Sequence, residues 1–469
     1  MGIPSYFSYI IKNYPNIIRK LPECEKFDYL FMDSNSIVYD SYYELEQKYM
    51  KTPFDITDIE NMIIKKVIEK IDDLIRVITP TQLTYIAFDG IPPLAKIEQQ
   101  KKRRYKSAFL AKALKTEKIW DTCSITPGTD FMILLDTEIT NYYKRFSNII
   151  TSCSNEKGEG EHKIFRYIRD NDLSNQNVVI YGLDSDLIML SILHSEQVKN
   201  IKVMREAPSF VSVLASSVKI ETSEKMLLDI IQLSNGIETE MEKGIPNDEE
   251  KEVKKRKKDY IMMSILLGND FVPNIGSIYI REDGMERLMK AYKEVKENLI
   301  DEKKEIKWKN VKKYLLELEK EERERIKEKI EKKVRIEKKL ENVPMLYREE
   351  EKSIGIESEG WEKRYRRITE SNGKSYKEML YWIWDYYSGI EREEISYNGK
   401  NGPLIQDILL EIGEPSKKKT QEYSLEYVIP KNNKVKMKQE IQEKIKNKKE
   451  ENMEFIWMFK KYFWESELL

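Results

Sequence analysis

Residues 84–108 read TYIAFDGIPPLAKIEQQKKRRYKSA. Leu83–Phe88 is a short apolar run with β-branched and aromatic members, the composition of a buried strand. Asp89 ends it, and Gly90-Ile91-Pro92-Pro93 breaks the chain. A basic helix follows. Lys96, Gln100, Arg103 and Arg104 stand at i, i+4, i+7 and i+8, so they share one helical face. A carboxylate at a strand end, followed by a stripe of phosphate-type donors, predicts a site that holds a metal and a phosphate close together.

The same logic extends outward from this stretch. Three further apolar runs lead into an aspartate: YLFM into Asp33, VVIYGL into Asp184 and IMMSILLGN into Asp270. Two acidic pairs have i, i+2 spacing, Glu159/Glu161 in a glycine turn and Asp184/Asp186. Ligand sites in open α/β sheets lie beyond the carboxyl ends of strands. A lone strand-end aspartate is usually a helix N-cap, but a set of them calls for something more. Carboxylates buried without partners cost stability, and a divalent cation neutralises them. Oxygen-only ligation suits Mg²⁺ or Mn²⁺. More acids than one ion needs fits two ions clamping an in-line phosphoryl displacement. Neither His162 nor His194 is read as having a partner at metal-ligand spacing.

Alternating strand and helix patterns over residues 1–240 predict an α/β domain. Strands are expected at Tyr29–Asp33, Asn148–Cys153, Asn177 onward, Ile201–Glu206 and Phe210–Leu214. Helices are expected after Pro4, over Asp55–Ile78, after Ser124 and after Gly158. Beyond 240 the character changes. Asn247–Lys258 reads as a charged surface loop, and Asp259–Asp270 as a short apolar helix. Lys303–Leu340 reads as one long charged helix with a narrow apolar seam, Val343–Gly360 as a linker, and Trp361–Ile390 as helical. The tail carries an aromatic cluster at Ile456–Glu465. The expected segments are 1–300, 301–345 and 346–469.

The bulk numbers bound the function. With 81 basic and 82 acidic residues in 469, no global field attracts nucleic acid, so any such binding comes from local patches. Three dispersed cysteines, Cys24, Cys123 and Cys153, form neither a disulfide framework nor a zinc motif. No apolar run approaches the ~20 residues that span a bilayer, and no signal-peptide core opens the chain. The expectation is a soluble protein of a reducing compartment, cytoplasmic, or in the host cytoplasm if viral.

Matches in order along the chain identify a family. MGIPSYF opens it, followed by FMDSN (31–35), FDGIPPLAK (88–96), QQKKRR (99–104) and ITPGTDFM (125–132). GEGEHKI (158–164), YGLDSDLIML (181–190), GNDFVP (268–273), GWEKRY (360–365) and SYKEMLYWIWDYYSG (375–389) complete the set. The chain resembles the XRN family of 5′→3′ exoribonucleases, in a compact, short form without the long C-terminal extensions. The resemblance implies a mostly parallel central sheet flanked by helices, a flap-endonuclease-like nuclease core with a helical second region packed on it. It implies seven metal-site and catalytic acids: Asp33, Asp89, Glu159, Glu161, Asp184, Asp186 and Asp270. It implies that Lys96, Gln100, Arg103 and Arg104 bind a 5′-phosphate, and that the cofactor is two Mg²⁺ ions, with Mn²⁺ able to substitute. The implied activity is two-metal hydrolysis of single-stranded RNA bearing a 5′-monophosphate, as on decapped mRNA, to nucleoside 5′-monophosphates. The expected state is a monomer with no membrane association. A DNA- or flap-directed 5′ nuclease and an RNA-binding scaffold with reduced turnover are the alternatives.

Two departures stand out. Where family members carry a histidine that stacks on the terminal base, this chain has Tyr39, whose ring can also stack. The segment Ile390–Gly402 lacks the tryptophans usual there, which puts processivity in question but not the hydrolytic chemistry.

Overall fold

The computed structural model describes residues 2–21, 25–113, 118–214, 220–243, 256–337, 349–410, 423–431 and 433–447, with short strands at Phe455–Ile456 and Glu467–Leu468. Cys24, most of the 247–258 charge run and most of the 456–465 aromatic cluster lie outside the described residues. Two compact units form. One comprises Ile10–Ser234 and Gln421–Asn452, and the other comprises Met1–Tyr9, Asn235–Thr420 and Met453–Leu469. The segments 1–300, 301–345 and 346–469 are divisions along the sequence, and both units draw on more than one of them.

The first unit is built on a seven-stranded sheet: β1 (Ile18–Lys20), β2 (Tyr29–Asp33), β3 (Leu83–Ala87), β4 (Ile149–Ser152), β5 (Leu173–Tyr181), β6 (Val198–Glu206) and β7 (Lys225–Asp229). The spatial order is β1-β7-β6-β5-β2-β3-β4. Strands β4, β3, β2, β5 and β6 run parallel, and β7 and β1 close the far edge antiparallel. The fold is therefore α/β with a mostly parallel sheet. The central strands are apolar on both faces (Leu30, Phe31, Met32, Val178, Val179 and Ile180 are buried) because helices cover both sides. From β2 the chain moves outward to β3 and β4, then returns to β5 beside β2 and proceeds the other way. That reversal makes the gap between the ends of β2 and β5 the topological switch point. The largest helix on the main core is Ile59–Ile78, whose Ile63, Val67, Ile71, Leu74 and Ile78 bury one stripe.

Two local readings are corrected. Phe210–Leu214 is not a strand; Pro208 opens a turn and Val211–Leu214 forms a single helical turn. The edge strands β1 and β7 have no counterpart in the sequence reading, since Ile18–Lys20 is too short to show a period.

The second unit is helical. Lys303–Leu340 does not form one helix. Trp308–Glu319 and Glu322–Glu337 are separate, and Glu322 at the break places its carboxylate on the Ile405 amide at 3.0 Å. Its narrow apolar seam is buried: Ile326 packs with Ile354, Ile356, Trp361, Tyr365 and Leu404. Within the expected linker, Glu349–Ser353 is helical. The helices Trp361–Thr369 and Gly373–Ser388 carry Trp361, Trp382 and Trp384 inward as core residues.

Candidate metal and phosphate site

The carboxyl ends of four parallel strands supply the acids of the sheet unit, with Glu159 and Glu161 on the segment after β4. Asp33 is the last residue of β2, Asp89 stands two residues past β3, and Asp184 three past β5. The loops around Asp89 and Glu159 are laced together. Gly90 N–H donates to the Gly158 carbonyl at 2.9 Å, and Gly158 N–H to that of Ile91 at 2.9 Å. The Gly160 amide donates to Asp89 Oδ1 at 2.8 Å. Asn35 holds the other side of Asp89, donating from Nδ2 to Oδ2 at 2.6 Å and accepting from the Asp89 amide at 3.0 Å. Two glycines are steric requirements here. A Cβ at Gly90 would lie 1.6 Å from the Glu156 carbonyl oxygen, and one at Gly160 would lie 2.5 Å from Asp33 Oδ1. Lys163 ties the strand ends from below, its buried Nζ donating to the carbonyls of Phe88 at 2.8 Å and Cys153 at 2.7 Å.

Within this frame, oxygen atoms of Asp33, Asp89 and Glu161 lie within 4.8 Å of one another. A second grouping of the same size joins Glu159, Glu161 and His162. The sequence reading of the histidines is therefore corrected for His162. Its signal was present, since Glu159 and His162 are three residues apart at a helix start and so share a face. His194 is structural: Nδ1 lies 2.9 Å from the Leu190 carbonyl, Nε2 lies 3.3 Å from Arg169, and the ring packs on Phe165.

Electrostatically the site is unfavourable as it stands. Burial pushes the Asp33 carboxyl well above its usual range, and the charges of Asp89, Asp184 and Glu159 add to it. Glu161 is raised in the same way, by burial first and then by Glu159 and Asp33. Burial also drives His162 well below its usual value, toward the neutral imidazole that can act as a ligand. Asp33 Oδ1 is fully buried with no hydrogen-bond partner. A buried, unpaired acceptor among like charges, in an oxygen-rich donor set, is compatible with binding a divalent cation. Asp184 occupies the N-cap position of the Ser185–His194 helix, yet its side chain makes no capping bond. Asp186 is buried on that helix's first turn and belongs to neither grouping.

Asp270 belongs to the helical unit. The Arg256–Ser264 helix runs through Ile265–Leu267 to Gly268, whose φ of +80° suits glycine and whose added Cβ would meet the Asn274 amide at 2.4 Å. Asn269 Oδ1 accepts from the amides of Phe271 and Val272 at 2.9 and 3.1 Å. This tight turn presents Asp270, with Phe271 anchored edge-on against Trp382 and Tyr386.

The basic stripe lies on the Leu94–Ala113 helix. Lys96, Gln100 and Arg104 are buried, and Arg103 is exposed. Arg104 Nη1 donates to Gln100 Oε1 at 3.2 Å. Lys96 Nζ lies 2.8 Å from Glu159 Oε1, with side chains only 7% and 3% exposed. One residue of the cationic stripe is thus paired with one residue of the acidic cluster. Burial lowers the Arg104 guanidinium, while the phenols of Tyr39 and Tyr423 act on it in the opposite direction. Tyr39 is half-buried against the core.

The helix is braced from a part of the chain that sequence reasoning did not connect to it. Ile97 packs with Leu425, Val428, Ile429, Val435, Met437 and Ile445. Lys101 lies over the Tyr427 ring at 4.3 Å, and the Tyr427 hydroxyl donates to Glu98 Oε1 at 2.5 Å.

The chain is similar to known proteins over most of its length. The family model described as the XRN 5'-3' exonuclease N-terminus matches residues 1–207, and that of the Xrn1 helical domain matches residues 250–458. The chain belongs to the XRN family. The 5'-3' exoribonuclease 1 of Saccharomyces cerevisiae is 32% identical over 324 residues, covering 63% of this chain and 21% of that protein. The human 5'-3' exoribonuclease 1 is 28% identical, covering 70% and 21%, and the 5'-3' exoribonuclease 2 homolog of Caenorhabditis elegans is 28% identical, covering 63% and 38%. The chain spans about a fifth to two fifths of the length of these XRN relatives. Among solved structures, the catalytic core of Rad2 in complex with DNA substrate matches 88% of this chain and 96% of its own at 14% identity, with a TM-score of 0.36. No described helix is long and apolar enough to cross a membrane.

Proposed function

We propose that this chain is a 5′→3′ exoribonuclease that degrades single-stranded RNA from a 5′-monophosphate end and releases nucleoside 5′-monophosphates. The observation that carries the reading is the buried, partnerless Asp33 Oδ1 among mutually repelling carboxylates, with Lys96 of the basic helix reaching into the same cluster. Asp33, Asp89, Glu159 and Glu161 would hold divalent cations, two Mg²⁺ or Mn²⁺, with Asp184 and Asp186 of the same unit completing the set. When bound, the cations supply Lewis acidity and charge neutralisation at the scissile phosphodiester. The work of the chain's own residues is binding and register. Lys96, Gln100, Arg103 and Arg104 would grip the terminal phosphate, and Tyr39 would stack on the first base. Two charge-assisted contacts to a phosphate dianion are worth about 3–6 kcal/mol together. That is roughly a hundred- to ten-thousand-fold in efficiency.

The test is digestion of matched RNAs bearing a 5′-monophosphate, 5′-hydroxyl or 5′-triphosphate, with Mg²⁺ and with chelator, alongside a DNA flap. The 5′-monophosphate RNA should be degraded at least about a hundredfold faster than the other ends, and chelator should stop the reaction. Equal rates on all three ends would defeat the phosphate reading, and cleavage of the flap alone would redirect the assignment to DNA.

A further inference from the structure

We propose that the Lys96–Glu159 ion pair is an internal latch that couples the two halves of the site, so that binding of a divalent cation frees Lys96 for the 5′-phosphate. The inference rests on the functional reading above and goes beyond it. Lys96 Nζ and Glu159 Oε1 are 2.8 Å apart and both side chains are almost fully buried, while the proposed function assigns each to a different ligand. A carboxylate oxygen held by an ammonium at that distance is not fully available to a cation. An ammonium held by a carboxylate is likewise not fully available to a phosphate. With neither ligand bound, each group satisfies the other, which is why a lysine can be buried here at all.

A divalent cation entering beside Asp33 and Glu161 competes with Lys96 for Glu159. When the cation takes the carboxylate, two positive charges cannot share it closely, and the lysine is released. Its four-carbon stem lets Nζ move while the helix stays in place. On the same face stand Gln100 and Arg104, joined to each other at 3.2 Å, and these are the groups Lys96 would join around a phosphate. The latch thus makes the phosphate pocket weak until a cation is in place. Because binding free energies are reciprocal, the phosphate must tighten the cation by the same factor.

Calorimetric titration of the full chain tests this without turnover. Mn²⁺ and a nucleoside 5′-monophosphate are titrated singly, and then each in the saturating presence of the other. Each should tighten the other by one common factor, about 5- to 150-fold, and the unphosphorylated nucleoside should give no such effect. In Lys96→Met, Mn²⁺ alone should bind more tightly than to the wild type, since no ion pair must be broken, and the common factor should fall to one. The same factor in both proteins would overturn the latch, because the phosphate would then be touching the cation directly. Binding of both ligands with no mutual effect in the wild type would overturn the latch and leave the proposed function standing. Failure of either ligand to bind would remove both. If Lys96→Met does not fold, Lys96→Gln, which keeps a donor toward Glu159 without the charge, serves the same comparison.

Discussion

Asp33 stands in a position that opposes stability. Its Oδ1 has no partner, its neighbours carry the same charge, and burial favours its neutral form. In the proposed site a cation would offset that cost when bound. Asp33→Asn should therefore abolish cation-dependent hydrolysis yet raise the melting temperature in chelator. Removing one of the mutually repelling buried charges is worth ~1–3 kcal/mol, at about 1 °C per kcal/mol for a chain of 469 residues. A melting temperature that falls in chelator would show Asp33 to be a structural residue instead. The seven acids and the four members of the basic stripe could all be named from strand ends, helical register and the family resemblance. What could not be read was which of them touch. That Lys96 meets Glu159 depends on how the loops around Gly90 and Gly158 are laced, and the local sequence of neither loop contains that information. His162 lies with Glu159 and Glu161 because it shares a helix face with Glu159 three residues back, a relation that metal-motif spacing does not express.

At the scale of elements, the Leu94–Ala113 helix is positioned less by its own sequence than by what lies under it. Pro92 and Pro93 start it, and its basic face faces the site, while Ile97, Glu98 and Lys101 are gripped by residues 423–445. Leu425 is buried in that contact and also packs against Gly128. Leu425→Ala should cost about 2–5 kcal/mol in urea unfolding, the usual result of emptying a buried leucine site. Tyr427→Phe, which removes only the hydroxyl bond to Glu98, should cost about 0.5–1.5 kcal/mol. The reverse order would mean that the polar contact, not the apolar cluster, sets the helix. This brace escaped the sequence reading because an apolar pattern identifies a buried face without naming what buries it.

At the scale of the whole molecule, the helical unit holds carboxyls whose burial makes stability depend on pH. Asp259 accepts from the Tyr292 hydroxyl at 2.6 Å and from the amides of Leu299 and Ile300 at 2.9 and 2.8 Å. Burial nonetheless pushes it up to about 7. Glu322, accepting from the Ile405 amide, is pushed by burial up to about 8. Both folded values lie above those of the unfolded chain, near 3.8 and 4.5. Their contribution is thus fully present below the unfolded values and is lost as pH rises through about 7 and then about 8. Thermal melts from pH 4 to pH 9 should show a falling midpoint, and Glu322→Gln should flatten its upper part. A midpoint that rises with pH in the wild type would mean that the hydrogen bonds outweigh burial.

By itself, the sequence determined the α/β class, the central parallel strands, the acids at their ends, the register of the basic stripe and the family. All of these rest on local periodicity, on chain breakers, or on motifs contiguous in the chain. Only the tertiary structure decided that Lys303–Leu340 breaks at Glu322, that residues 421–452 return to the sheet unit, that two antiparallel strands close its edge, and that Lys96 is paired to Glu159. These depend on contacts between residues distant in the chain. Their free energy comes from burial and from satisfying buried polar groups, and no local pattern specifies which distant partner will do so.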